Sequence, residues 1–143
     1  TYHAKTFYDT LIQKAGNSEN IELNAGYPFQ FGTLAESLEF AAHGEKSEHD
    51  EIYPTFAKEA REEGFDDIAD LYERVAGVER DHEIVFRYLA NAIKDGVLYK
   101  RNKPTLWVCS ECGYRATTKE AWKICPLCKA KQGYVEIPLP FDE

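Results

Sequence analysis

Between Leu34 and Ala60 the chain carries an apolar stripe of helical period, and two carboxylates stand in the middle of it. The inward line runs Leu34, Leu38, Ala41, Glu45, Glu48, Ile52, then Phe56 and Ala60, in steps of four and three. A second stripe, Ile68, Tyr72, Val75, Glu79, His82, Phe86, Leu89, Ile93, is broken in the same way. Burying an ionised carboxylate without a partner costs several kcal/mol. Glutamates at three interior positions would together exceed the stability of a typical domain, about 5–15 kcal/mol. No Lys or Arg lies on either inward line, so a bound cation is the natural partner. Carboxylate oxygen and imidazole nitrogen suit iron or manganese, and zinc less distinctively.

The spacing sharpens this. Glu79 and His82 form Glu-x-x-His, and Glu45 and Glu48 have the same separation. Residues three apart share one helix face, about 5–6 Å apart at Cβ. Di-iron carboxylate bundles use one Glu from each of two helices and a Glu-x-x-His from each of the other two. This chain has one of each and an extra Glu. His3 lies on the inward line of a first helix with Phe7 and Leu11 and is a further candidate ligand. His43 and His49 fall off the inward lines and read as surface residues.

The helix limits are legible. The first helix runs to Gly16. Residues 17–32 show no sustained period, and so long a connection suits a crossover in a helix bundle. Thr33-Leu-Ala-Glu36 is a capping box that starts the second helix. Pro54 predicts a kink or a lost hydrogen bond. Gly64 predicts a stop, and the short turn after it predicts an antiparallel return. Gly96 ends the third helix. Residues 1–98 thus read as a helical domain, 99–105 as a basic linker and 106–143 as a small second domain.

In that second domain Cys109-x-x-Cys112 is followed by Cys125-x-x-Cys128. Four thiolates from two tight turns make a tetrahedral site for zinc or iron. So short a module cannot hold itself together by core burial alone, so the metal also holds the fold. Trp107, Tyr114, Trp122 and Tyr134 are expected to form its aromatic core. All four cysteines lie in these pairs, which points to a reducing compartment, here the cytoplasm. No signal peptide or membrane-length apolar run is visible. The net charge of −8 disfavours nucleic acid as a partner. It is uneven: residues 1–100 carry 10 basic and 20 acidic side chains, residues 101–143 carry 7 and 5, which supports two modules.

Together HAKTFYDTL, GEKSEHDEIYPTFAKEAREEGFDDIADLY, ERDHEIVFRYL and the CSECGY…CPLC module resemble rubrerythrins. The resemblance covers nearly the whole chain. It implies a mainly α, ferritin-like four-helix bundle, of which this chain supplies about three helices, joined to a rubredoxin-like β-ribbon domain. It implies a non-haem di-iron peroxidase that reduces hydrogen peroxide to water in oxidative-stress defence. Electrons would come from an external reductase through an Fe(Cys)4 centre, and zinc can replace iron in either site. Carried over, the di-iron ligands are Glu45, Glu48, Glu79, His82 and His3, with Glu48 and His3 the alternative ligands of one iron. Tyr53 matches a tyrosine that hydrogen-bonds a ligand carboxylate. Cys109, Cys112, Cys125 and Cys128 match the rubredoxin ligands, and Lys129 stands where a glycine is usual.

The resemblance also implies a head-to-tail homodimer. The family's first helix and the glutamate three residues before His3 have no counterpart here, so a separate or missing N-terminal segment is expected to supply them. The competing arrangement is two copies of this chain sharing one cage. Two other functions fit parts of the sequence: a ferritin-like ferroxidase, in which a fused cysteine relay has no evident use, and a zinc-ribbon interaction module, which leaves the buried glutamates unexplained.

Overall fold

The computed structural model describes residues 2–16, 22, 24–27 and 32–141, in two units, residues 1–30 and 31–143. The first unit holds α1, Tyr2–Ala15. Gly16 closes it with φ 68° and an N–H bond to the Ile12 carbonyl at 3.0 Å. Glycine reaches this left-handed conformation without a Cβ penalty. His3 and Phe7 are half-buried on this helix. The crossover expected over residues 17–32 falls largely outside the described residues.

The second unit opens with one helix in three parts: α2 (Leu34–Ser47), a π turn (Glu48–Ile52) and α3 (Tyr53–Glu62). The capping box forms: Thr33 Oγ1 accepts from the Glu36 N–H at 3.3 Å, and Glu36 Oε2 accepts from the Thr33 N–H at 2.8 Å. The π turn is the helix's answer to Pro54. Proline has no N–H, and its ring collides with the carbonyl four residues back. The helix widens here: the Tyr53 N–H bonds the Glu48 carbonyl, five residues back, while the backbone stays right-handed helical.

A π turn takes in one surplus residue, so the inward face slips by one position. This corrects the expected line. Ile52 and Phe56 are 39% and 42% exposed, whereas Tyr53 is half-buried and Ala57 is 3% exposed. Leu34, at the start of the same line, is also exposed.

Gly64, at φ 86°, turns the chain into α4 (Asp66–Lys94). The Phe65 N–H bonds the Ala60 carbonyl and the Gly64 N–H that of Arg61, the paired closure of a Schellman motif. The return is antiparallel. Contacts Lys94–Glu39, His82–Glu45, Glu83–His49, Tyr72–Tyr53 and Glu73–Arg61 run from the end of α4 to its first half as they pass from α2 through the π turn to α3. The seam is built mostly from small residues, Ala42, Ala57, Ala69 and Ala90, with Val75. Small side chains let the helices approach closely. No helix among the described residues is long and apolar enough to cross a membrane.

A second Schellman closure at Gly96 ends α4. The antiparallel pair β1 (Lys100–Val108) and β2 (Arg115–Glu120) follows, with Trp107 opposite Ala116. All but Tyr99 of the expected linker therefore belongs to a strand. The register shifts between Lys100 and Thr105, around Pro104, where proline cannot donate to the ladder. The small core is Trp107, Ala121 and Val135, with Tyr99 and Trp122 against it. Tyr114 meets Trp122 edge-on at 5.1 Å. Tyr134, expected in this core, is 49% exposed; Val135 points inward in its place.

Candidate metal centres

Helical spacing and the antiparallel return bring three predicted ligands together. Glu45 comes from α2 and Glu79 and His82 from α4, with ligand atoms within 4.8 Å of one another. His82 Nδ1 lies 2.7 Å from Glu79 Oε2 and 3.6 Å from Glu45 Oε2. The Glu79 side chain is only 5% exposed, that of Glu45 20% and that of His82 46%. The site is thus closed on the Glu79 side and open on the His82 side.

The electrostatics are those of crowded acids. Burial raises the Glu45 carboxyl from 4.5 to about 7, helped by its hydrogen bond with Glu79 and by the charges of Glu79 and Glu48, with His82 opposing. Glu48 is half-buried in the π turn. It acts on Glu45 through its charge and stands outside the group of three. Tyr53 is pushed up to about 12, first by burial and then by Glu48, Glu79 and Glu45. Its phenol keeps its proton at neutral pH. Tyr72 stacks on it with ring centroids 6.1 Å apart, and Phe56 tilts against Tyr72 at 5.5 Å. His3 belongs to the first unit, on α1.

One contact corrects the sequence reading. His49 is no surface residue: its side chain is 11% exposed, and Nε2 lies 2.7 Å from Glu83 Oε2. That bond and Arg87, which donates to Glu83 Oε1, hold the Glu83 carboxyl below its usual range. Sequence reasoning missed this pair. The available signal was spacing: His49 is four residues after Glu45, and Glu83 four after Glu79. His43 is exposed, as expected.

The four cysteines converge as predicted, with sulfurs within 4.8 Å of one another. Cys109 and Cys125 are buried, Cys112 and Cys128 exposed. Cys109 Sγ lies 3.8 Å from Cys128 Sγ, and Cys112 Sγ 3.8 Å from Cys125 Sγ. That is too long for a disulfide, at about 2.05 Å. It matches the edge of a sulfur tetrahedron with metal–sulfur bonds of about 2.3 Å, roughly 3.8 Å. Burial disfavours the Cys125 thiolate, but the backbone N–H groups of Cys128 and Leu127 and the neighbouring thiols outweigh it and bring Cys125 down to about 7.

Two similar turns carry the sulfurs. In the first, the Gly113 N–H bonds the Cys109 carbonyl at 2.8 Å; in the second, the Lys129 N–H bonds that of Cys125 at 3.1 Å. Both residues have positive φ, 74° and 66°. Lys129 therefore holds a left-handed position that glycine fills in the first turn, and its Nζ donates to the Pro126 carbonyl at 3.0 Å. Both donor sets fit metals: the sulfurs by their spacing, and the acid and imidazole cluster by its hard oxygen and nitrogen donors.

The rubrerythrin family model matches residues 1–90, and that of the rubrerythrin rubredoxin-like domain matches residues 107–136. The chain is 38% identical over 135 residues to a rubrerythrin of Porphyromonas gingivalis, covering 94% of this chain and 65% of that protein. It is 37% identical to rubrerythrin-1 of Clostridium acetobutylicum, covering 94% and 69%. The chain thus spans about two thirds of the length of these curated relatives. Nigerythrin in a partially reduced state superposes with a TM-score of 0.53 at 21% identity, over 95% of this chain and 62% of that one, a likeness of fold. Two family domains in family order, on a fold that brings a carboxylate–histidine cluster and a four-cysteine cluster into one chain, make this chain a member of the rubrerythrin family.

Proposed function

We propose that the protein reduces hydrogen peroxide to water. The observation that carries this reading is the Glu45, Glu79 and His82 cluster, closed on the Glu79 side, in the same chain as four converging cysteines. One peroxide takes two electrons and two protons, its O–O bond breaks, and two waters leave. Iron at both sites supplies the redox chemistry when bound: a pair at the carboxylate cluster and a single ion at the cysteines. Glu45, Glu79, His82, Glu48 and His3 would hold the pair, and Cys109, Cys112, Cys125 and Cys128 the single ion.

The chain's own groups fit this role. Glu79 accepts at His82 Nδ1 and fixes the ring. Glu45, hydrogen-bonded to Glu79 and 3.6 Å from His82, supplies a carboxylate donor from the α2 side. Tyr53 stays protonated and offers a donor beside Glu48. The residues around 1–98 serve as the peroxide-reducing domain and 106–143 as the electron-relay domain, joined through 99–105. The protein works in the cytoplasm with an external reductase, as a head-to-tail homodimer in which each cysteine module serves its partner. The opposed charge balance of the two modules supports that pairing.

The test uses iron-replete, anaerobically reduced protein. Glu79→Ala and His82→Ala are expected to lose peroxide-driven reoxidation. Cys109→Ser is expected to keep a single turnover and lose continuous turnover. Peroxide reduction that persists in the first two variants overturns the reading, as does full activity with zinc alone at the cysteines. Mixed Cys109→Ser and His82→Ala subunits recover activity if electrons cross between subunits. Recovery with oxygen but none with peroxide would favour a ferroxidase.

A further inference from the structure

The passage from α4 to the cysteine module is short, and one side chain grips both ends of it. The helix closes at Gly96, and β1 starts at Lys100. Arg101 Nη1 donates to the carbonyls of Val97 at 3.1 Å, Leu98 at 3.4 Å and Lys100 at 2.7 Å. Arg101 Nη2 donates to the Tyr88 hydroxyl at 2.6 Å. Tyr88 sits within α4, six residues before its last residue, roughly 9 Å back along the axis. The guanidinium also lies 5.4 Å from the ring of Trp107 and 6.0 Å from that of Tyr88.

Trp107 is the fully buried centre of the small core, anchored by its own indole N–H to the Thr118 carbonyl at 3.0 Å. It stands two residues before Cys109. A single cation thus binds the end of a helix, a side chain further back on that helix and the indole from which the first cysteine turn departs. The charge suits the spot, because carbonyls beyond a helix C-terminus attract cations, and the faces of the two aromatic rings attract the guanidinium as well.

We infer that Arg101 is a positioning residue that holds the four-cysteine module in one orientation on the end of α4. Lysine cannot replace it. A planar guanidinium stacks on the indole while its edge reaches the Tyr88 hydroxyl and the carbonyls; an ammonium is a point charge that cannot do both. The consequence for electron delivery rests on the function proposed above, but the orientation itself does not.

The test is amide relaxation and residual dipolar couplings on the zinc-loaded full chain. The wild-type module and α4 are expected to share one alignment tensor and one correlation time. In Arg101→Gln the module separates from α4 in both, and Arg101→Lys behaves as Arg101→Gln. The Trp107 indole signal reports whether the module is folded. If Arg101→Gln does not fold, Tyr88→Phe, which removes only the hydroxyl anchor, is expected to loosen the module partly. Identical couplings in wild type and Arg101→Gln overturn the proposal, as does full rescue by lysine. In the iron-loaded protein, continuous turnover that depends on electron delivery from the cysteine site is expected to be lost. A single turnover of pre-reduced protein with peroxide stays unchanged. A separated module with no pre-reduced turnover would tell against the peroxide reading, not against the role of Arg101.

Discussion

The imidazole of His49 in the π turn and the carboxylate of Glu83 on α4 meet at 2.7 Å, with both side chains largely buried. They tie the backbone beside Glu48 to the backbone beside His82. Removing either breaks this largely buried bond, although Glu83 keeps Arg87 and His49 keeps Asp50, at about 1–3 kcal/mol. His49→Phe and Glu83→Gln are expected to lower the urea midpoint accordingly. The double variant should cost less than the sum, because the two lose the same bond. Additive costs would show that the contact contributes nothing to stability.

Glu83 gives this tie a direction in pH. Its carboxyl is held low in the fold, first by His49 and then by Arg87. A depressed carboxylate contributes stability above its unfolded value of 4.5 and loses it as pH falls through the lower folded value. Acid unfolding of Glu83→Gln should therefore begin from a lower baseline and show a shallower slope than wild type between 4.5 and that lower value.

Glu45 works in the opposite sense in metal-free protein. Its carboxyl rises from 4.5 to about 7, chiefly through burial. Folding then favours the protonated form, so the contribution is full below 4.5 and lost as pH rises through about 7. The melting temperature of metal-free wild type is expected to fall across that window relative to Glu45→Gln, which cannot ionise there. Metal loading should abolish the difference in slope, because the ligand must deprotonate to bind. A metal-free wild type that gains stability over the window relative to Glu45→Gln contradicts the assignment.

Lys129 holds φ 66° in the second cysteine turn. A left-handed residue other than glycine costs roughly 1–2 kcal/mol. Lys129→Gly gives up the Nζ bond to Pro126 and adds unfolded-state entropy, so the net gain should be about 0.5–1 kcal/mol. Slower metal loss to a chelator is the measurement. Lys129→Ala removes the bond and keeps the strain, so it should lose metal no more slowly than wild type.

Thr33 caps α2 through two reciprocal bonds with Glu36. Thr33→Ala should cost about 0.5–2 kcal/mol, read as a lower melting temperature with no change in the cysteine-site spectrum.

Much of this was legible because it rests on local rules. Gly16, Gly64 and Gly96 end helices by their own dihedral freedom, and Thr33 and Glu36 cap by their separation. Glu45, Glu79 and His82 meet because helical period and an antiparallel return set them on facing sides of one groove, and the cysteine spacing forces convergence. What escaped depends on a slip or on contacts across elements. A strict step of four carried the inward line to Ile52 and Phe56, because periodicity cannot register a surplus residue. His49 was read as surface although it stands four residues after Glu45, because its partner Glu83 lies on another helix. Arg101 looked like a linker charge because nothing local announces that its partners are Tyr88 and Trp107.

The π turn also makes one helix behave as two. Before it, the helix turns Glu45 toward α4; after it, the phase has advanced, and Tyr53 and Ala57 face the same groove. The length of the chain between Glu48 and Tyr53 is therefore a setting of angle, not of reach. Deleting one residue from Glu48–Ile52 would return the turn to a regular α-helix with the phase kept. Adding one would leave the helix about 1.5 Å longer, a trivial change, yet rotate all of α3 by roughly 100°. The phenol would leave the acids, and an oily face would turn toward them. A protein of this design tolerates substitution in that turn far better than one more residue in it.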